Sequence, residues 1–260
     1  MNRVNYVFKI IVCISFILVF TSGAQTDLPN ENDIIAIAWN VDDTRIATGY
    51  VNGTIIIFDQ NGQQINTFSA DTLPVVDIEW NPVIPELLAS ATEDTLTGAV
   101  RVWDTSNGSL TNEFTLRMAT SVSWIDASKL AGGSFSDQTS TLRIWDINTG
   151  EETTVDTRGA VWDIATSNSG NVLALASREI GLVTSSSLTI DQTLNTVTDE
   201  FVYEVEWSSN DQYVVAGNSD GSIEIWNTTL FQREPDVIIQ AGNGLLETYF
   251  DDRVAAIQFT

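Results

Sequence analysis

The chain has 260 residues, of which 43% are hydrophobic, and it carries 35 acidic against 11 basic residues, for a net charge of −24. This hydrophobic content is enough for one sizeable core, which excludes an intrinsically disordered chain. Strong negative charge repels phosphate backbones and anionic lipid surfaces, so we do not expect a nucleic acid or a membrane surface as partner.

Residues 1–24 are expected to form a cleaved secretory signal peptide. Two basic residues precede an apolar run from Ile10 to Phe20, and small residues follow at Ser22 and Ala24. This order of features is typical of a signal peptide. An uncleaved membrane anchor is the alternative, but the run is well short of the ~20 residues that a spanning helix needs. We therefore predict a secreted or periplasmic protein with no membrane span after cleavage.

The rest of the chain, which begins with a short linker at residues 25–31, contains neither cysteine nor histidine. The single cysteine, Cys13, lies in the predicted signal peptide. Disulfides, a thiol nucleophile, a Ser-His-Asp triad and an ordinary zinc site are therefore excluded after cleavage. We expect no cofactor and no bound metal.

A short apolar strand that ends in an aromatic anchor recurs along the chain, for example in "IIAIAWN" from Ile34 and "VVDIEWN" from Val75. The fourth copy, from Ala160, carries threonine at the anchor. Successive anchors lie 41 to 52 residues apart. These six anchor positions are Trp39, Trp80, Trp124, Thr166, Trp207 and Phe259. A repeat of this period predicts stacked structural units.

Three further strands follow each of the first five anchors. A strand of small residues comes first, such as "RIATGY", and the next strand ends in an aromatic residue followed by an acid or amide. In the fourth unit this pair is replaced by Val183 and Thr184. The other four pairs are Phe58-Asp59, Trp103-Asp104, Trp145-Asp146 and Trp226-Asn227. A turn and a polar strand complete each unit, so the pattern predicts four short strands per repeat.

This pattern resembles the WD-repeat β-propeller family. The resemblance implies an all-β fold of four-stranded blades over residues 32–260, with a signal peptide and linker before it. The expected blades are residues 32–70, 71–115, 116–157, 158–198 and 199–240, with a partial sixth at 241–260. The recurrent tryptophans are then structural, and so are Asp104, Asp146 and the turn residue Asp220. The family's hydrogen-bonded set of His, Ser/Thr, Trp and Asp cannot be complete here, because the chain has no histidine.

The way in which the ring closes is left open by the pattern. The sixth unit contributes one recognisable strand, "RVAAIQFT" from Arg253. We expect a propeller that is incomplete at its C-terminus. An open five-blade array is the alternative, and it would expose two sheet edges.

The expected function is non-catalytic binding of a protein or peptide, since propellers present loops at the ends of a rigid ring. Trp162 and Tyr203 lie four residues before their anchors, a position that varies along the repeat and that faces partners in the family. Arg117, Arg158 and Tyr50 are further candidates on neighbouring loops. Aromatic residues and arginine are the side chains that dominate interface energetics. The partner's identity and the oligomeric state are not predicted.

A carbohydrate-active propeller is the alternative function. Asp77, Asp163 and Glu204 each lie three residues before an anchor, on predicted innermost strands that line a channel. Glycosidases use a pair of such carboxyl groups, one as acid and one as nucleophile or base. The same position holds Ala36 and Ser121 in other units, which favours an ordinary polar position over a catalytic one.

Overall fold

A computed structural model describes residues 31–94, 96–135, 142–157, 159–196 and 201–228, together with the backbone of 237–240. The described residues form five four-stranded antiparallel sheets, as the repeat pattern predicted. The predicted signal peptide and the predicted strand of a sixth blade lie outside the described residues.

Each sheet, or blade, contains four consecutive strands in chain order. Blade one has β1 (Ile34–Trp39), β2 (Arg45–Tyr50), β3 (Ile55–Asp59) and β4 (Gln64–Phe68). Blade two has β5 (Val75–Trp80), β6 (Leu87–Thr92), β7 (Ala99–Asp104) and β8 (Ser109–Thr115). Blade three has β9 (Ala119–Trp124), β10 (Lys129–Ser134), β11 (Leu142–Asp146) and β12 (Glu152–Val155). Blade four has β13 (Asp163–Thr166), β14 (Val172–Ala176), β15 (Ile180–Thr184) and β16 (Ile190–Leu194). Blade five has β17 (Val202–Trp207), β18 (Tyr213–Asn218), β19 (Ser222–Asn227) and β20 (Val237–Gln240).

The first strand of each blade is its innermost strand. β1, β5, β9, β13 and β17 contact one another in that order, whereas each fourth strand pairs only with the third strand of its own blade. Stacking the blades buries apolar side chains between them, because one sheet cannot cover both of its own faces. The result is the β-propeller architecture of four-stranded blades.

The anchor tryptophans join neighbouring blades. The indole nitrogen of Trp80 donates a hydrogen bond to the Ala38 carbonyl oxygen of blade one, at 3.1 Å. Trp124 and Trp207 make the same bond to the preceding blade, to the carbonyls of Glu79 and Ala165, also at 3.1 Å. Trp80, Trp124 and Trp207 are all buried, whereas Trp39 is half-buried. Each buried indole thus fills the seam between two blades and satisfies its own donor there.

The second set of tryptophans lies within the blades, on their third strands. Trp103 donates from its indole nitrogen to the Ser90 hydroxyl at 2.9 Å. Blade three has Gly132 in place of this serine, and a Cβ atom there would lie 2.8 Å from the Trp145 ring. The Trp145 indole donates to the Glu152 carboxylate instead, at 2.9 Å. Trp226 is also buried, with 1% of its surface exposed.

Blade four has neither tryptophan. Its anchor is Thr166, whose hydroxyl lies 2.8 Å from that of Ser123 in blade three. Val183 occupies the third-strand position, and it is fully buried together with Leu173 and Leu175. Aliphatic side chains therefore form the core at the positions where the other blades carry aromatic rings.

Aspartates hold the turns and account for part of the acidity. Asp104 accepts hydrogen bonds from the hydroxyl and the backbone N–H of Ser106, which lower its pKa below the usual value. Asp146 accepts from the Asn148 and Thr149 N–H groups, and Asp220 accepts from the Ser222 N–H at 2.9 Å. Hydrogen bonds from Thr184, Ser187 and Thr189 lower the pKa of Asp191 to about 2. Such carboxylates replace the backbone partners that a tight turn lacks.

Candidate functional site

The loop end of the propeller is the end that carries the connections between blades and the turns between second and third strands. At this end the innermost strands contain a β-bulge. The bulged residues are Ile35, Val76, Thr120 and Tyr203, which the strand registers skip. Trp162 lies at the same position, directly before β13, and its N–H binds the Ala176 carbonyl at 2.8 Å. A bulge turns a side chain out of the regular sheet alternation, which explains why this position varies along the repeat.

Four aromatic side chains meet at the loop end of blades three to five. The ring of Trp162 lies 4.6 Å from Phe135, 5.1 Å from Tyr203 and 6.5 Å from Phe201, measured between ring centroids. We call these four residues the Trp162 cluster. Trp162 itself is 8% exposed, whereas Phe201 is 45% exposed. The cluster therefore presents Phe201 and part of Tyr203 to solvent, with Trp162 beneath them.

The sequence placed Trp162 and Tyr203 on one surface, and the structure brings them into contact. It gives Trp162 a buried place rather than an exposed one. The exposed aromatic residue, Phe201, was missed by the sequence analysis. Its signal was the apolar residue at the start of "FVYEVEW", where the connection between blades would otherwise be polar.

Of the other predicted partner-binding residues, the structure describes Arg117 and Tyr50. Arg117 is exposed on the connection between β8 and β9. Tyr50 ends β2 in blade one, where it is half-buried and its N–H binds the Thr54 carbonyl at 3.0 Å. Arg158 lies outside the described residues. Trp162 and Tyr203 are therefore the two predicted partner-binding residues whose contact with each other the structure shows.

A groove of about 630 Å³ opens beside the cluster. Its walls come from the β12–β13 connection, the β14–β15 turn, strands β15 and β16, and Phe201 of the β16–β17 connection. Its volume is within the range of ligand-binding pockets. Its lining includes Thr157, Trp162, Ser177, Gly181, Thr193 and Phe201.

The predicted channel carboxylates are buried between innermost strands. Asp77 accepts a hydrogen bond from the Val122 N–H of blade three at 2.8 Å. Asp163 accepts one from the Val205 N–H of blade five at 3.0 Å, and one from the Ser121 hydroxyl at 2.9 Å. Glu204 is fully buried as well. Asp77 and Asp163 therefore tie adjacent blades together, and no observation favours the carbohydrate-active alternative, which stays a prediction.

The described residues show no group of three or more histidine, cysteine, aspartate or glutamate side chains placed to hold a metal ion. Across the same ranges, no helix has the length and apolar character that crossing a membrane would require.

Comparison with known families gives two matches. The model of the eukaryotic translation initiation factor eIF2A, which is WD-repeat-like, matches residues 16–150 and so covers more than half of the chain. The WD domain, G-beta repeat model matches residues 191–227, which include β17 to β19. The chain belongs to the WD-repeat β-propeller family.

Curated WD-repeat proteins are similar over about a third of the chain. The F-box-like/WD repeat-containing protein TBL1X of Mus musculus is 26% identical over 93 residues, which are 36% of this chain and 17% of that protein. The related TBL1Y of Homo sapiens gives the same identity and coverage. The SIR4-interacting protein SIF2 of Saccharomyces cerevisiae is 24% identical over 102 residues, 39% of this chain and 17% of its own. The matched region thus spans less than a fifth of each relative's length.

WD-repeat proteins are generally non-enzymatic and bind other proteins. In this WD-repeat chain, blade two keeps the Ser–Trp hydrogen bond of the family's set through Ser90 and Trp103. Indole and carboxylate hydrogen bonds join neighbouring blades in this chain.

Proposed function

We propose that this protein is an exported, non-catalytic scaffold that binds a protein or peptide partner through the surface of the Trp162 cluster. The observation that carries the proposal is the convergence of four aromatic side chains, one of them 45% exposed, at the loop end of a rigid fold. Exposed aromatic side chains on a packed base are typical of the anchors that dominate binding energy.

The position of the cluster supports the same proposal. The half-buried Phe135 of blade three and Tyr203 of blade five both pack on Trp162, so a partner lying over the cluster would contact both of these blades. The base beneath is held by the buried Asp163 bonds to Ser121 and Val205. Such preorganisation reduces the entropy that binding loses.

The test is affinity capture with purified protein as bait, followed by a titration of the captured partner. Tyr203→Ala and Phe201→Ala should each weaken binding by about tenfold or more, since a truncated anchor costs ≥ ~1.4 kcal/mol. The matched control is Tyr213→Ala, another half-buried tyrosine, at the start of β18 on the opposite end. Unchanged binding in the two cluster variants, or an equal loss in the control, would contradict the proposal.

Export rests on the N-terminal sequence pattern, which lies outside the described residues. We expect the mature protein to begin at Gln25 and to be found outside the cytoplasm. N-terminal sequencing of the protein from the periplasm or the culture medium tests this. A protein that keeps Met1 and stays in the cytoplasm would contradict it.

A further inference from the structure

The groove beside the Trp162 cluster corresponds to a site that blade two fills with its own side chain. Arg101 on β7 is buried, and its guanidinium contacts the Asp71 carboxylate at 2.5 Å and the Glu113 carboxylate at 2.6 Å. It also donates to the Thr92 hydroxyl at 3.1 Å. Arg101 therefore joins the β4–β5 connection, the end of β6 and the outer strand β8.

The strand registers place Gly181 of blade four at the position of Arg101. In blade two, Asp77 pairs with Ala91 and Ala91 with Val100, the residue before Arg101. In blade four, Asp163 pairs with Ala176 and Ala176 with Ile180, the residue before Gly181. The same position holds Ile56, Arg143 and Glu224 in the other blades. Blade four alone among the five described blades thus has no side chain at this position.

The three partners of Arg101 also have counterparts in blade four. Asp71 lies six residues before Asp77, as Thr157 does before Asp163. Thr92 follows Ala91, as Ser177 follows Ala176, and Arg101 pairs with Glu113 as Gly181 pairs with Thr193. The four counterparts are Gly181, Thr157, Ser177 and Thr193, and all four line the groove. The groove is therefore the Arg101 site of blade four, without an arginine and with hydroxyls at the positions of its partners.

The remaining walls of the groove suit a basic side chain next to an apolar one. Asp156 and Glu179 are exposed acids in its lining, and Arg178 is a basic residue there. Trp162, Phe201 and Ile190 supply apolar surface. Hydroxyl oxygens such as those of Ser177 and Thr157 can accept hydrogen bonds from a guanidinium even while they donate elsewhere. The chain's excess of 35 acidic over 11 basic residues attracts a basic segment from a distance.

We propose that this groove binds an arginine side chain of a peptide partner, at the place that blade two fills with its own Arg101. The proposal rests on the proposed function and names the partner's chemistry. The guanidinium lies among Thr157, Ser177 and Thr193, with the nearby carboxylates of Asp156 and Glu179 balancing its charge. A neighbouring aromatic side chain of the peptide packs on Phe201.

The test uses fluorescence anisotropy with a labelled, capped decapeptide that carries one Arg-Phe pair in a Gly-Ser sequence. A matched peptide has Gln-Phe. The arginine peptide should bind about tenfold more tightly, because hydrogen bonds from a charged donor are about twice as strong as neutral ones. Thr157→Asp supplies the carboxylate that Asp71 gives in blade two, and it should raise the affinity severalfold.

Gly181→Arg should lower the affinity for the arginine peptide by about tenfold, because the new side chain fills the groove from within. The matched control, Ser186→Arg, adds the same charge to the exposed β15–β16 turn at the opposite end and should leave affinity within about twofold. If the Gly181→Arg variant does not fold, Gly181→Ala tests the same position with a smaller side chain. Its Cβ would make ordinary contacts of 3.6 Å with Ile190 and 3.7 Å with Leu175, and a two- to threefold loss is expected.

Equal binding of the two peptides, no binding of either, or equal losses in Gly181→Arg and Ser186→Arg would overturn the arginine site. The proposed function has a separate test, because Tyr203 is part of the Trp162 cluster but does not line the groove. Loss of partner binding in Tyr203→Ala without any arginine preference would therefore keep the scaffold and reject the groove.

Discussion

Blades two and four have the same strand order, but blade two packs with large aromatic and arginine side chains where blade four has small ones. Blade two has Trp80 at its anchor, Trp103 on its third strand and a buried Arg101. Blade four has Thr166, Val183 and Gly181 at the same positions. Both blades nevertheless keep a buried aspartate that accepts a backbone N–H from the next innermost strand.

The difference shows which parts of a blade are required for the fold and which are free to change. The hydrogen bonding between strands is shared by all five described blades, so it sets the architecture, whereas the position of Asp77 and Asp163 holds Ala36 in blade one and Ser121 in blade three. Ring and guanidinium groups can be replaced by aliphatic side chains such as Leu173 and Leu175 if the core stays filled. Where the replacement is glycine, space opens at the surface, and blade four gains a groove.

The largest effect is expected from the third-strand core position. Trp103→Ala should lower the free energy of unfolding by about 4 kcal/mol, because it removes a buried ring and leaves a cavity. Val183→Ala in blade four should cost about 2 kcal/mol, since fewer buried atoms are lost. Urea denaturation of both variants measures the difference. Equal costs would show that the two blades rely on this position to the same extent.

Arg101→Ala is expected to cost about 3 kcal/mol, because Asp71 keeps a partly buried carboxylate without its cation. The control is Arg143→Ala in blade three, whose ion pair with Glu152 at 3.0 Å is more exposed. That change should cost about 1 kcal/mol or less. Thermal unfolding at neutral pH compares the two variants. A loss of stability in Arg101→Ala no larger than that in Arg143→Ala would contradict a stabilising role for the buried Arg101 ion pairs.

Glu93, after β6 in blade two, makes stability depend on pH. Burial raises its pKa from 4.5 to about 7, so the folded protein holds a proton that the unfolded chain releases at lower pH. The contribution of this group to stability should therefore be largest below pH 4.5, and it should fall by about 3 kcal/mol as the pH rises to 7.

Glu93→Gln should remove this part of the pH dependence and stabilise the protein at pH 8. The control, Glu86→Gln, changes an exposed glutamate on the opposite end of the same blade and should leave the profile as it is. Urea midpoints measured from pH 4 to pH 8 provide the comparison. Parallel profiles for wild type and Glu93→Gln would be evidence against the raised pKa.

The smallest effect concerns single hydroxyl groups. Ser90→Ala removes the acceptor of the buried Trp103 indole and should cost about 1.5 kcal/mol. Thr166→Val in blade four removes a hydroxyl contact with Ser123 that is partly buried, so about 0.5 kcal/mol is expected. Chemical denaturation with enough repeats resolves this difference. A larger loss in Thr166→Val would mean that blade four depends on its polar anchor after all.

The sequence was sufficient for the repeat, because the alternation of apolar and polar residues and the turn residues are local signals. The repeat assigned the anchors Trp80, Trp124 and Trp207 a structural role, and all three are buried between blades. The loss of the aromatic pattern in blade four was visible at Val183. Trp162 was singled out by its position, but its burial was not predictable. That burial comes from Phe135 and Phe201, which belong to the neighbouring blades.

By itself, the sequence determined the number of strands in each unit, their order and the residues that fill each blade, since these depend on neighbours along the chain. The tertiary structure decided everything that depends on two blades at once. It placed Asp77 and Asp163 where they accept hydrogen bonds from the next innermost strand. It also brought the four residues of the Trp162 cluster together and placed Gly181 in the lining of a groove. Such contacts join residues about 40 positions apart, and no local pattern records which side chains meet when the blades pack.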